Sequence, residues 1–174
     1  FTDANHLIDE KVSLFQNCDW VAMPDTLIEA KHKLIQQDCR VITWGTSKQN
    51  DLCVTSLPTE TSRLIRAIWG EVAFDWVLPF TSEIGFRNAM TAALVALEWG
   101  VDGNQIGASL LHLQDLDMRM QRFRSRSGTW ILSDAYTNDW DTLTLALRDL
   151  EQLTGPYLKS AIIGPIPGMS EAEP

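Results

Sequence analysis

A pattern between Asp19 and Gly45 constrains the fold more than any other feature of the chain: a short apolar run, an amphipathic stretch, then a second short apolar run. Trp20 to Met23 and Arg40 to Trp44 have the length of strands. Between them, residues 26 to 37 repeat apolar side chains at Leu27, Ala30 and Leu34, the spacing of one helix face. Pro24 closes the first run and Asp25 is placed as the N-cap of the helix. A strand, helix, strand unit returns its second strand in the direction of the first, so both lie parallel in one sheet. The chain therefore reads as α/β.

Residues 53 to 57, 62 to 69 and 72 to 78 are rich in β-branched and aromatic side chains, and Pro58-Thr59-Glu60 and Gly70-Glu71 separate them. That texture predicts an antiparallel meander with tight turns. A helix follows, capped by Thr81 or Ser82, with Phe86, Met90, Ala93, Leu94 and Leu97 as its apolar stripe and Gly100 just past its end. Asp102, with Gln105 three residues on, opens a second helix whose apolar face holds Ile106, Leu110 and Leu113. Residues 114 to 118 read as a linker. Beyond it come strands at 119 to 125 and 129 to 133, a helix at 140 to 153 with Leu143, Leu147 and Leu150 on one face, and a strand at 160 to 163. The tail from Gly164 ends in a loop, so this last unit is expected to be incomplete. The expected architecture is mixed α/β in two parts, residues 1–113 and 119–174.

Composition narrows the partners. At 174 residues, 45% apolar and 21% charged, the chain can bury a real core. Fourteen basic against 23 acidic side chains leave a net charge of −9, which opposes unaided association with nucleic acid or anionic lipid. The apolar stretches fall short of the roughly 20 residues a bilayer span needs, and no basic region leads into an apolar run at the N-terminus. A cytoplasmic protein without nucleic-acid or membrane partners is expected. Cys18, Cys39 and Cys53 are too few and too widely spaced for a disulfide framework or a zinc site, and read as small buried hydrophobes. His6, His32 and His112 are scattered and read as surface or helix-flank residues.

The sequence contains no phosphate-cradling loop, no metal-ligand cluster and no nucleophile paired with a base, so the chain is not expected to be a complete enzyme by itself. Gly45-Thr46-Ser47-Lys48 lacks the first Gly and the Gly-Lys pair of a phosphate loop and reads as a strand-end turn. Arg122, Arg124 and Arg126 alternate along a strand opposite Phe123, where they could meet phosphate or form a solvated strand face; the acidic balance favours the second. The most informative segment is 129 to 143. An apolar strand ends in Asp134, a polar loop with Tyr136, Thr137 and Asn138 follows, and a helix begins near Asp139. Carboxyl ends of strands in open α/β sheets are where ligands bind. The same Asp and Asn would serve equally as helix caps.

Ser133-Asp-Ala-Tyr-Thr-Asn-Asp-Trp-Asp-Thr142 resembles the Asp-Asp-Ser-Tyr-Asn-Ala-Asn-Pro-x-Ser stretch that opens the C-terminal domain of the Mur ligases. Leu78-Pro-Phe-Thr-Ser-Glu-Ile-Gly-Phe-Arg-Asn-Ala89 resembles the family's helix-borne Asn-Ala segment, particularly in the branch fused to alanine racemase, and Met118-Arg119-Met120 matches the interdomain Met-Arg-Leu. Ile162-Ile-Gly-Pro-Ile-Pro-Gly-Met-Ser-Glu171 is similar to a degenerate Leu-Gly-Asp-Met-x-Glu-Leu-Gly. Within the family the resemblance is to the branch that adds D-alanyl-D-alanine to UDP-N-acetylmuramoyl tripeptide. It implies a parent of three domains, with this chain covering the end of the central ATPase and the first half of a Rossmann-like C-terminal domain. In that parent, ATP with Mg2+ activates the tripeptide carboxylate and the dipeptide amine attacks it. Carried over by residue, Asn88 would contact the adenine region, Arg119 would reach the phosphates, and Asp134 would hold the ribose, with Tyr136, Thr137 and Asn138 around them. Neither ATP nor Mg2+ is expected on this chain alone, and self-association through exposed strand edges and apolar surface would follow. The sequence departs from the pattern at Ser133, Thr137 and Trp140, and Ile84-Gly85 stands where many members have His-Asn. Those departures suit an alternative, a non-catalytic α/β binding or interaction domain on a diverged scaffold.

Overall fold

Alternation along the strands decides which side of the sheet each helix covers. The computed structural model describes residues 4–114, 119–136, 140–152 and 158–165, and the chain divides into two units, Phe1–Gln114 and Asp115–Pro174. The first unit runs α1 (Ala4–Ser13), β1 (Trp20–Pro24), α2 (Ile28–Gln36), β2 (Arg40–Gly45), β3 (Leu52–Pro58), β4 (Arg63–Trp69), β5 (Val72–Leu78), α3 (Glu83–Glu98) and α4 (Gly103–Leu110). Its five strands form one sheet in sequence order. β1, β2 and β3 are mutually parallel, and β3, β4 and β5 form the antiparallel meander.

Along β1, Val21 and Met23 face α1 and α2, with Val12, Leu34 and Cys39 completing that cluster, while Trp20 and Ala22 pack at the margin of the main core. The main core joins the inner faces of β2 to β5, including Ile42, Leu52, Val54, Ile65 and Trp76, to Phe86, Met90, Leu94 and Leu97 of α3 and to Ile106 and Leu110 of α4. Helices thus cover both faces of the parallel strands, as crossover connections require. Over the meander one face stays bare: Leu57, Leu64 and Ile68 are exposed there, flanking the Arg66–Asp75 ion pair on the same face.

Helix ends carry the expected chemistry in α3 and α4. Ser82 Oγ accepts the Gly85 N–H, and Asp102 Oδ1 accepts from the Asn104 and Gln105 N–H groups. Gly100 takes φ +82°, and Gly100 and Val101 donate to the carbonyls of Leu97 and Ala96, closing α3 with a two-bond left-handed cap. Asp25 does not cap α2. Its N–H donates to the Trp44 carbonyl and its carboxylate accepts from the Asn50 amide, so the helix starts later, with Leu27 as N-cap and no side-chain cap. The carboxylate fills the space beside Gly45, where a Cβ would collide with it. α1 has no counterpart in the sequence reading; among its described side chains Val12 is buried and Ile8 packs beside it. Cys39 is buried, but Cys18 is exposed and Cys53 half-buried, so only one of the three behaves as a core hydrophobe.

In the second unit, β6 (Gln121–Arg124) and β7 (Trp130–Ser133) pair antiparallel, and α5 (Trp140–Gln152) follows. Ser125 Oγ accepts the Thr129 N–H and Gly128 takes φ +85°, which closes the hairpin turn. β6 stops at Arg124, so Arg122, Arg124 and Arg126 do not share one strand face. Arg122 forms a half-buried ion pair with Asp149 at 3.0 Å, Arg124 lies over the Trp130 ring, and Arg126 sits in the turn. Residues 160–163 form no strand; Ile162 is fully exposed. Extended residues become a strand only when a neighbour takes up their backbone N–H and C=O groups, and no described strand lies alongside them.

Candidate functional site

The register of the hairpin builds the site. Gln121 pairs with Ser133, so the residue just before β6 lies opposite the residue just after β7. The Met120 N–H consequently donates to Asp134 Oδ1 at 3.1 Å. Met120 adopts φ +52° and is 1% exposed. A left-handed conformation at an unbranched non-glycine residue costs on the order of 1 kcal/mol and persists only where the surroundings hold it. Here an anchored N–H and a buried side chain do so.

That anchorage fixes the backbone of Arg119. Its guanidinium carbon lies 4.0 Å from the centroid of the Tyr136 ring, two residues beyond Asp134. Both side chains are exposed. A guanidinium stacked by its face keeps its N–H donors in its own plane, so their edge stays available to a planar or tetrahedral oxyanion. Arg119, Asp134 and Tyr136 therefore meet at one end of the hairpin. Thr137 and Asn138 lie outside the described residues. Asn88 belongs to the first unit, on the exposed side of α3 beside Arg87, which faces Glu83 at 3.9 Å.

Sequence reading named Met120 only within the Met118-Arg119-Met120 match and did not anticipate its left-handed backbone. Methionine carries no signal for that conformation, and only the pairing across the hairpin reveals the need for it. Among the described residues no group of three His, Cys, Asp or Glu side chains gathers to hold a metal ion, and no helix is long and apolar enough to cross a membrane.

No family model matches the chain. It is 33% identical over 87 residues to the UDP-N-acetylmuramoyl-L-alanyl-D-glutamate–2,6-diaminopimelate ligase of Bradyrhizobium diazoefficiens, covering 50% of this chain and 17% of that protein. It is 23% identical over 135 residues to the UDP-N-acetylmuramoyl-tripeptide–D-alanyl-D-alanine ligase of Bacillus subtilis, covering 78% of this chain and 29% of that protein. The fold matches a crystal structure of MurF from Acinetobacter baumannii with a TM-score of 0.74 at 18% identity, over 89% of this chain and 35% of that one. MurF from Thermotoga maritima in complex with ADP matches with a TM-score of 0.63 at 15% identity, over 78% of this chain and 31% of that one. The chain is thus similar in sequence to two Mur ligases and shares the fold of the MurF structures, and it spans between 17% and 35% of the lengths of these relatives.

Proposed function

We propose that the chain is part of an ATP-dependent amide ligase of peptidoglycan synthesis, one that adds D-alanyl-D-alanine to UDP-N-acetylmuramoyl tripeptide. Residues 1–113 serve as the end of its central domain, 114–118 as the linker and 119–174 as the start of its C-terminal domain. The observation that carries this reading is the placement of Arg119 over Tyr136 beside Asp134, in a chain similar to the Bacillus D-alanyl-D-alanine ligase and sharing the fold of a MurF solved with ADP. The bound nucleotide supplies the phosphoryl group that activates a carboxylate. Arg119 offers its in-plane N–H donors to the phosphates, and Asp134 hydrogen-bonds the ribose with Tyr136, Thr137 and Asn138 around it. Asn88 addresses the adenine region. Magnesium and the phosphate loop belong to the remainder of the parent enzyme, which acts in the cytoplasm without nucleic-acid or membrane partners. The likeness of residues 78–89 to the racemase-fused branch suggests that parent form. This chain alone binds no nucleotide and is inactive.

Calorimetry with ATP and magnesium on this chain and on the complete gene product tests the reading. Binding by the complete product and not by the chain is the expected result. Binding by neither removes the ligase assignment and leaves the interaction domain, which the bare apolar face at Leu57, Leu64 and Ile68 favours.

A further inference from the structure

We infer that Tyr136 is a positioning residue for Arg119, holding the guanidinium in its phosphate-facing arrangement before any nucleotide arrives. The inference rests on the reading of Arg119 as a phosphate contact. An exposed arginine at the edge of a hairpin would ordinarily sample many rotamers, and ordering it on binding weakens affinity by the entropy lost. Two features of this hairpin remove that freedom in advance. The Arg119 backbone is fixed by its neighbour Met120, which is buried, left-handed and bonded through its N–H to Asp134. The Arg119 side chain is fixed by the Tyr136 ring at 4.0 Å. Asp134 and Tyr136, two residues apart on the same loop, thus grip the backbone and the side chain of the same two-residue segment. The guanidinium carbon lies over the ring at 4.0 Å, and the guanidinium carries five N–H donors from which a ligand can be served. The phenol ring is the active element of this grip.

The test measures ATP affinity in the complete gene product carrying Tyr136→Phe, Tyr136→Leu, Arg119→Ala and the Arg119→Ala/Tyr136→Leu pair, together with the Arg119 Nε–Hε resonance of the nucleotide-free protein. Tyr136→Leu should weaken binding about two- to fivefold, the weight of an exposed cation–π contact, and Tyr136→Phe, which keeps the ring, should weaken it less. In the Arg119→Ala background the Tyr136→Leu change should have no further effect. The Nε–Hε resonance should show an aromatic ring-current shift that survives Tyr136→Phe and vanishes in Tyr136→Leu. Equal losses from Tyr136→Leu in both backgrounds, or an unshifted resonance in the unmutated protein, would overturn the inference while Arg119→Ala still weakens binding. If Arg119→Ala leaves ATP affinity intact although the ring-current shift is present, it is the phosphate reading that fails, and the positioning role goes with it.

Discussion

Arg63 concentrates several interactions in one buried side chain. Its guanidinium donates to the Thr81 carbonyl at 2.9 Å, pairs with Glu83 at 3.0 Å, reaches Ser56 Oγ and lies 4.5 Å from the centroid of the Phe86 ring. It ties β3, the start of β4 and the first turn of α3 together. Glu83 is itself 41% exposed, so truncation leaves a carboxylate that water can reach and a buried carbonyl that it cannot. Arg63→Ala should destabilise the protein by about 2–3 kcal/mol, below the full cost of orphaning a wholly buried pair; urea unfolding measures it. A second residue-scale expectation concerns Cys39. Burial pushes its thiol above the ordinary value, and the neighbouring Cys18 and Asp19 push the same way. The folded-state value is the higher one, so the contribution to stability is whole below the ordinary thiol range and is lost as pH rises through the raised value. Urea midpoints should fall as pH rises through and above the ordinary thiol range, and the Cys39→Ala variant should show a shallower fall. A thiol reagent at neutral pH should label the exposed Cys18 first and Cys39 only on unfolding.

Elements differ in how much of their placement was written locally. The stripe of α3 and its Gly100 terminus follow from spacing and residue type alone, as does a cap at Thr81 or Ser82 that the structure gives to Ser82, and all five stripe residues are buried. The contact of α4 with β5 depends instead on missing side chains. A Cβ on Gly103 would run into the Phe74 ring, one on Gly107 would lie 2.7 Å from Trp76, and Trp76 Nε1 donates to the Gly103 carbonyl at 2.8 Å. The two glycines let the helix backbone lie against the aromatic pair. Gly103→Ala should raise intrinsic helix propensity yet destabilise by about 1–3 kcal/mol through overpacking, a sign that thermal unfolding reads directly. The opposite sign would show that Phe74 yields. At the other extreme, residues 160–163 carry an apolar strand signal but no ladder, because a strand needs a partner that local sequence cannot supply.

At the scale of the whole molecule, the bare face of the meander and the open edge at β1 invite association. Leu57, Leu64 and Ile68 surround a single Arg66–Asp75 pair there, and the net charge of −9 is too diffuse to shield an apolar patch at physiological salt. The chain should self-associate, and sedimentation velocity should show Leu57→Lys with Leu64→Lys shifting it toward monomer. A monomeric starting protein would refute this. The sequence by itself determined the α/β class, the order of the elements from β1 to α4, and the helix caps at Thr81 or Ser82 and at Asp102. Those properties depend on periodicity and on residue chemistry within a few positions. Tertiary structure alone decided that Asp25 braces the ends of β1 and β2 instead of capping α2, that Arg122 pairs with Asp149, and that Asp134 grips the Met120 N–H while Tyr136 stacks on Arg119. Each of these joins residues at least 14 positions apart, and which partner a polar group meets at that range is set by strand register and packing, not by the residues on either side of it.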